Sequence, residues 1–289
     1  IEFYGCTQEI DIPFNVEICT HESYTNGFCD TCGYACKHPS VSESGVCDVC
    51  KTEFSATLTT ADGTVSYYTD ATVAIANAAL AENKGSTVKL LKTIDEENEL
   101  HLNATAEARG EFTIDLNGYH FGTVNSSIFL SYIDLTIMTS VSREAYTVFY
   151  TEIRPELYST VTCPEVGVDT KLDIYRLSLR SAPKAGIGTN RVSLGSGVYL
   201  EWFDDNENGN KTKYGDILAS GCIFKDGRSG NIYPRSEEIP NIVTMTVIKC
   251  PHSEWNGNEC TYCGLICDHT RGFVDGICPD CGRACEHPN

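Results

Sequence analysis

The runs "FTIDLNGY" (residues 112–119) and "SIFLSYIDLTIM" (127–138) belong to a series of short β-forming stretches separated by turns. Asn117-Gly118, at the end of the first run, is a strong turn signal. Further runs of this kind are "TVKLL" (87–91), "ELHL" (99–102), "KLDIYRLSL" (171–179), "RVSL" (191–194), "GVYLEWF" (197–203) and "NIVTMTVI" (241–248). Many short β runs at a rung-like spacing indicate a β-sandwich or a β-helix.

One helix precedes these runs, in "SYYTDATVAIANAALAENKG" (66–85). Asp70 is a suitable N-cap, and the alanine-rich run after it favours a helix. Val73, Ala76 and Leu80 are predicted to form its apolar face. Gly85 suits the C-terminal cap.

Cysteine and histidine recur at fixed spacing on both sides of this region. Five of the seven histidines lie two residues after a cysteine. Disulfides need no histidine at a fixed offset, whereas a tetrahedral zinc site does. Four Cys3His units follow from this spacing: Cys19, His21, Cys29 and Cys32; Cys36, His38, Cys47 and Cys50; Cys250, His252, Cys260 and Cys263; and Cys267, His269, Cys278 and Cys281.

Each unit spans about fifteen residues, too few to bury a core, so bound metal would supply the folding energy. Four protein ligands leave no open position for water, so the expected zinc ions, about four in number, are structural. The alternative is that the cysteine pairs are oxidised to disulfides. Cys285 and His287 begin a fifth unit that the sequence does not complete. Cys6, Cys163 and Cys222 match no unit.

The stretches "GFCDTCGYACKHPS" (27–40) and "GICPDCGRACEHPN" (276–289) place Cys36 and Cys285 at equivalent positions, 249 residues apart. This offset predicts one period of an array, in which paired Cys/His units join larger domains. The predicted divisions are 1–18 as the tail of a preceding repeat, 19–52 as two zinc modules, 53–249 as a β-helix-like domain, 250–284 as two zinc modules, and 285–289 as the start of a further module.

Charge and hydropathy exclude some classes of partner. The net charge is −19, from 40 acidic and 21 basic side chains, which disfavours nucleic acid and anionic membranes. No apolar run is long enough to cross a bilayer, so membrane insertion is not expected. The composition is compatible with a secreted or cell-surface protein.

A resemblance to a known family rests on four segments: "VKLLKTI" (88–94), "FTIDLNGYHF" (112–121), "DLTIM" (134–138) and "GDILASGCIFKDG" (215–227). A Cys-x-His motif follows the last of them. The chain resembles repetitive surface and secreted proteins of gut Firmicutes, in which Cys/His zinc-binding linker units alternate with right-handed parallel β-helix domains. The resemblance implies a mainly β, right-handed parallel β-helix with one N-terminal helix, flanked by small zinc-ribbon or knuckle-like modules. Residues 140–200 contain few of the family's glycine-rich rungs, so the helix is expected to be short or distorted there.

The resemblance also implies an extracellular location and binding to host material, since some members bind immunoglobulin. We therefore expect a non-catalytic adhesin-like binding or spacer repeat. Its expected partners are neighbouring repeats of the same chain and a host protein such as immunoglobulin, or a host glycan. The alternative is a carbohydrate-active enzyme, a lyase or glycosidase, which needs clustered carboxylates. Asp115, Asp134, Asp173 and Asp216 are scattered along the chain, which argues against that alternative.

Two further site predictions concern calcium and protein contact. "DDNENGN" (204–210) offers Asp204, Asn206 and Asn208 as calcium ligands, but Gly215 stands where an EF-hand loop needs a bidentate Glu. The alternative is a solvated hairpin tip. "AYTVFYTEIRPELY" (145–158) offers Tyr146, Tyr150, Arg154 and Tyr158 as ligand contacts. The alternative is an edge strand whose aromatic residues fill the core.

Overall fold

The computed structural model describes residues 19–25, 27–141, 147–167, 170–179, 192–204, 211–240, 242–267, 272, 274–279 and 284. The chain consists of two compact units, Ile1–Glu53 and Phe54–Asn289. In the first unit, β1 (Tyr24–Thr25) and β2 (Phe28–Cys29) form an antiparallel hairpin. Two Cys/His units, 19–32 and 36–50, make up its described part.

The second unit contains the remaining strands and both α-helices that the described residues form. They are β3 (Ala56–Thr59), β4 (Val65–Tyr68), α1 (Ala71–Ala78), β5 (Ser86–Leu90), β6 (Glu99–Asn103), β7 (Gly110–Asp115), β8 (Ser127–Ser131), β9 (Ile133–Met138), β10 (Thr147–Pro155), β11 (Thr160–Cys163), β12 (Leu172–Ser178), β13 (Val192–Leu194), β14 (Val198–Asp204), α2 (Tyr214–Ile217), β15 (Cys222–Asp226), β16 (Ile232–Tyr233), β17 (Ile242–Lys249), β18 (Trp255–Asn256) and β19 (Glu259–Cys260). The short helix α2 was not predicted.

Successive strands alternate between two sheets, which makes the unit a β-solenoid of about four turns. One sheet pairs β6, β8, β10, β12 and β14 in parallel, and the other pairs β5, β7, β9, β11 and β13 in parallel. Both sheets continue with antiparallel strands, β4 and β3 beside β5, and β17, β15 and β16 beside β14. The prediction of a mainly β, parallel β-helical fold is confirmed.

The core consists of apolar residues that stack in register from turn to turn. Val88, Ile114 and Ile137 are paired in successive strands of one sheet and are all fully buried. In the other sheet, Ile153 pairs with Leu177, and the ring of Phe149 stacks on Phe121 at 5.4 Å between centroids. Because alternate residues of a strand point to opposite faces, the intervening side chains lie on the outer surface.

The helix α1 forms as predicted, but it buries a different face. The Asp70 carboxylate accepts a hydrogen bond from the Thr72 amide at 2.8 Å, which confirms the N-cap. The predicted face is wrong: Val73, Ala76 and Leu80 are exposed. The residues that are buried instead are Ala71, Ala74, Ile75 and Ala78. Small side chains let the helix lie close to the strands beneath it, so alanines form the contact and the larger residues face solvent.

The predicted cap at Gly85 is also wrong. The helix ends at Ala78 with Ala79 as its C-cap, and a short 3₁₀ segment, Ala81–Asn83, follows. Gly85 has φ +79 and leads directly into β5, where its amide donates to the Glu111 carbonyl at 2.7 Å. In the described residues, no helix has the length and apolar character that crossing a bilayer requires.

Candidate functional site

Three of the four predicted Cys/His units bring their ligand atoms together. In each unit the three sulfurs and one imidazole nitrogen lie within 4.8 Å of one another. These units, named modules 1, 2 and 3 in chain order, are Cys19, His21, Cys29 and Cys32; Cys36, His38, Cys47 and Cys50; and Cys250, His252, Cys260 and Cys263. Each could hold a metal ion.

Distances between ligand atoms distinguish coordination from disulfide bonding. The Sγ atoms of the first and second cysteines are 3.5 Å apart in module 1, 3.8 Å in module 2 and 3.6 Å in module 3. A disulfide requires about 2.05 Å. Tetrahedral zinc, with Zn–S of about 2.3 Å and Zn–N of about 2.0 Å, would place two sulfurs about 3.8 Å apart and sulfur and nitrogen about 3.5 Å apart. The spacing therefore fits a shared ion.

The histidines contribute Nδ1. This atom lies 3.4 Å from Cys32 Sγ in module 1, 3.4 Å from Cys50 Sγ in module 2 and 3.5 Å from Cys263 Sγ in module 3. These separations match the sulfur–nitrogen edge of the same tetrahedron. His21, His38 and His252 share a left-handed backbone conformation, with φ of 54°, 49° and 49°. Histidine tolerates that region better than most residues, and here it turns the imidazole back toward the sulfurs.

A common backbone turn holds each Cys-x-x-Cys pair. The carbonyl of its first cysteine accepts the amide hydrogen of the residue just after the pair, at 2.8 Å in module 1, 3.0 Å in module 2 and 2.8 Å in module 3. That following residue is Gly33, Lys51 or Gly264, with φ of 71°, 60° and 70°. Two glycines meet this requirement without strain, and Lys51 departs from the pattern.

We predict that Lys51→Gly stabilises module 2. A non-glycine residue in the left-handed region carries a penalty that glycine avoids, so the expected gain in free energy of unfolding is about 1 kcal/mol. The loss of the Lys51 Nζ bond to the Asp48 carbonyl reduces this gain only slightly, because the side chain is exposed. Slower metal release to a chromophoric chelator would show the effect.

Gly33→Lys in module 1 is the matched control, because a Cβ there meets no atom within 4 Å. It should release metal faster; the opposite order would contradict the explanation.

Electrostatics in module 1 favour the thiolate, the ligand form of cysteine, at Cys29. Hydrogen bonding from the Cys32 amide, with a further contribution from the Thr31 amide, outweighs desolvation and lowers the pKa of Cys29 to about 6. A thiolate is the form that binds metal. In module 2, the His38 amide donates to Cys36 Sγ at 3.4 Å. These amides stabilise negative charge on the sulfurs, but at Cys36 burial outweighs the amide and raises the pKa of the thiol.

The fourth predicted unit lies only partly within the described residues. Cys267 and Cys278 are buried, and their sulfurs are 3.5 Å apart, as in the other modules. His269 and Cys281 lie outside the described residues, as do Cys285 and His287 of the incomplete fifth unit and Cys6. The bridge between Ile277 and Ala284 repeats the bridge between Phe28 and Ala35 at the predicted offset. Local structure therefore follows the sequence repeat.

Two cysteines outside the modules are buried in the solenoid. Cys163 is 1% exposed, and burial raises the pKa of its thiol to about 12. Cys222 begins β15 and is 6% exposed. Both are free thiols remote from solvent.

The predicted contact residues do not form one surface. Tyr150 and Arg154 lie on the outer face of β10, whereas Tyr158 lies in the following turn and stacks on Tyr132 at 5.4 Å. Tyr146 lies outside the described residues. The alternative of an edge strand is wrong, because β10 is paired on both sides, with β8 and β12.

Arg154 belongs to a row of side chains across the outer face of four adjacent parallel strands, here named the outer ladder. Its guanidinium carbon lies 4.8 Å from the centre of the Phe129 ring, and Nη2 contacts Glu152 at 2.8 Å. Glu152 also contacts Arg176 Nε at 3.4 Å, and Arg176 lies 5.8 Å from the centre of the Trp202 ring. The sequence analysis missed this ladder, because its members are far apart in the chain and meet only through strand register.

Asp204, the one predicted calcium ligand within the described residues, ends the outer ladder. Its Oδ2 is ion-paired with Arg176, and its Oδ1 accepts a hydrogen bond from Trp202 Nε1 at 3.3 Å. Calcium binding through this carboxylate would compete with both contacts. Asn206 and Asn208 lie outside the described residues, so the calcium loop stays a prediction.

Three of the four scattered aspartates have structural partners. Asp115 accepts backbone hydrogen bonds from Asn117 and Ser140, and Asp134 is ion-paired with Arg109. Asp216 accepts a hydrogen bond from the Lys213 amide. Asp173 differs, because it lines a cleft of about 700 Å³ on the outer face of the solenoid. Sequence reasoning did not find this cleft.

Comparisons of the chain with protein-family models, with curated proteins and with solved structures gave no match.

Proposed function

We propose that this chain is a non-catalytic, extracellular binding and spacer repeat of a bacterial surface protein, with structural zinc ions at the joints between larger domains. The observation that carries the proposal is the Cys3His arrangement, in which three sulfurs and one imidazole nitrogen lie within 4.8 Å of one another. Such a site has no position left for a substrate or water, so the ion serves folding.

Zinc is proposed over other ions on the donor set and its spacing. Thiolate and imidazole ligands disfavour calcium and magnesium, which prefer oxygen. Elemental analysis of the native protein tests the identity and should give about four zinc ions per chain if the fourth unit is also filled. Absence of zinc, or sulfur–sulfur bonds within the modules, would refute this part of the proposal.

The packing of module 3 supports a role as a firm joint. Cys250 directly follows β17, and its amide donates to the Gly221 carbonyl at 2.9 Å. Ile223 of β15 packs in one apolar cluster with Cys250 and Cys260. A module attached by backbone hydrogen bonds and shared apolar contacts resists bending relative to the solenoid, as a spacer requires.

The outer ladder is the proposed contact surface for a host protein. Trp202 is 37% exposed although it is large and apolar, and Arg176 presents its guanidinium group beside it. Arg154 presents a second guanidinium group two strands away on the same sheet. Tryptophan and arginine are the side chains that most often dominate binding energy in protein interfaces. The family resemblance makes immunoglobulin the first candidate. Buried Cys163 and Cys222 are shielded from oxidants, which is compatible with an extracellular location.

We predict that Trp202→Ala weakens binding to pooled immunoglobulin at least about tenfold, because loss of an exposed interface tryptophan costs about 2 kcal/mol. Surface plasmon resonance on immobilised immunoglobulin provides the measurement. Val124→Ala is the control, since Val124 is 54% exposed and lies outside the outer ladder. Equal affinities of the wild type and the Trp202→Ala variant would show that the outer ladder is not the contact surface. If the wild type does not bind, immunoglobulin is excluded as the ligand. A different protein retained from mucosal secretions by the immobilised chain would then identify the ligand.

A carbohydrate-active enzyme remains the second candidate because of Asp173. This carboxyl group lines the cleft, and Glu201 lines it as well. Two carboxyl groups in one cleft can act as acid and base on a glycosidic bond. Incubation with pectin, mucin and hyaluronan tests this candidate, and release of reducing or unsaturated ends that Asp173→Asn abolishes would establish it.

A further inference from the structure

The floor of the cleft is built by strand register. Asp173 of β12 is paired with Val148 of β10 and with Tyr199 of β14, and Tyr199 is paired with Thr246 of β17. All four side chains line the cleft. The strand register shifts just beyond these positions. In β10, paired with β12, the shift lies between Phe149 and Glu152, and in β14, paired with β17, it lies between Leu200 and Trp202. These irregularities separate the cleft from the outer ladder on the same sheet.

Asp173 is the unusual group in this floor. It is only 7% exposed, and its Oδ1 makes no hydrogen bond with any part of the chain that the structure describes. Burial, with a smaller contribution from the charge of Glu201, raises the pKa of Asp173 to about 7. A buried carboxyl oxygen without a partner is costly, and a ligand that supplies a donor or a positive charge would remove that cost.

The remaining groups around the cleft leave a place for such a charge. Lys249 Nζ and Glu165 Oε1 form an ion pair at 2.7 Å, so their charges neutralise each other. The other carboxyl groups that line the cleft are those of Asp173 and Glu201. The exposed Lys171 lies at the rim. Tyr150 and Tyr199 line the same space and are partly buried. Aromatic rings next to carboxylates favour an organic cation, whereas the carboxyls and the net charge of −19 disfavour an anion.

We propose that this cleft binds an organic cation, an ammonium or guanidinium group on an apolar stem, with Asp173 as its counter-ion. The cation can come from a lysine or arginine side chain of a protein or from a free polyamine. Val148 and Val166 supply apolar surface for the stem. This inference does not depend on the proposed host-protein interface, because the two sites use different residues.

Proton linkage follows from the same arrangement. The cation binds the ionised carboxylate, so below pH 7 it must displace a proton, and affinity rises as pH rises through 7. The expected ratio of affinities at pH 8 and pH 6 is about tenfold. The other charged or titratable groups facing the cleft are Tyr150, Glu165, Lys171, Tyr199, Glu201 and Lys249. The bond to Glu165 raises the pKa of Lys249, and burial raises that of Tyr199, so both move away from neutral pH.

Calorimetric titration of the whole chain tests the proposal with three probes: spermidine, the blocked peptide Gly-Arg-Gly, and the same peptide with neutral citrulline in place of arginine. At pH 8 spermidine, the arginine peptide or both should bind, and citrulline should bind at least about tenfold more weakly than arginine. Binding of the peptide alone points to a protein side chain, and binding of spermidine alone points to a free polyamine. No binding by either cation would overturn the proposal, and so would binding of the arginine and citrulline peptides with equal affinity.

Asp173→Asn is the matched variant, since it keeps the shape and removes the charge. It should lose about tenfold in cation affinity at pH 8 and show no change in affinity between pH 6 and pH 8. Its folding should not suffer, because the native state disfavours an ionised carboxylate here and the amide cannot ionise. Unchanged affinity in this variant would refute the role of Asp173. Retained immunoglobulin binding by the same variant would separate this result from that of the proposed interface.

Discussion

Replacement of Cys47 by serine is expected to remove about one zinc ion per chain and to unfold module 2. Cys47 is fully buried, and its sulfur lies 3.8 Å from that of Cys36. A hydroxyl is a poor zinc ligand at neutral pH, so the site keeps only three suitable donors. A segment of about fifteen residues has no core of its own and depends on metal binding, worth about 10–16 kcal/mol for small zinc domains.

Elemental analysis for zinc, together with amide hydrogen exchange, measures both consequences. Amides of the Cys47 turn should lose their protection from hydrogen exchange. One of them is the Lys51 amide, which donates to the Cys47 carbonyl at 3.0 Å. Cys163→Ala is the control, because it also removes a buried thiol but no ligand. A variant at Cys47 that retains its zinc and its protected amides would show that metal does not hold this module together.

Chelation of the wild-type protein should extend this result to every module while sparing the solenoid. The solenoid has a continuous apolar core that includes Ile114, Ile137 and Phe149, and this core needs no metal. Protection should therefore fall in residues 19–50 and 250–263 and persist in the strands of the parallel sheets. Collapse of the whole chain on chelation would indicate that the solenoid depends on the modules.

The sequence predicted the Cys/His units well because a set of ligands for one ion leaves a local signature. Residue type and spacing within fifteen residues determine which atoms can reach one ion, and three units have the predicted ligands together. The left-handed conformation of the histidines could not be predicted in the same way. It follows from closing the ring of ligands, whereas the turns after the Cys-x-x-Cys pairs are signalled in the sequence by Gly33, Gly264 and Gly282.

The parallel strands were predictable as a class, whereas the outer-face sites were not. Short β runs with turns between them indicate rungs, but strand order depends on which runs become neighbours. Asp173, Glu201 and Lys249 belong to three different strands, and only their pairing brings them to one cleft. The edge strand offered as an alternative for β10 is wrong for the same reason. The wrong helix face arose because alanine carries little hydrophobicity yet packs closely.

The second large effect is expected from Phe149→Ala, which should lower the free energy of unfolding of the solenoid by about 3–5 kcal/mol. Phe149 is fully buried and stacks on Phe121 of the preceding turn. Successive turns of a solenoid are stabilised chiefly by contact with their neighbours, so a cavity at this position weakens the coupling between turns as well as removing apolar contact. Denaturation in guanidinium chloride, with zinc present throughout, provides the measurement.

Phe129→Ala is the control for that prediction, since Phe129 lies on the outer face and stacks on His101 at 4.4 Å. Its loss should cost only about 0.5–1.5 kcal/mol, the value of an aromatic contact that is not part of the core. The comparison is informative because both residues are phenylalanines in adjacent parallel strands that differ in the face they occupy. Equal destabilisation by the two substitutions would mean that the interior is not packed as the register of β8 and β10 requires, and the stacking of turns would need another explanation.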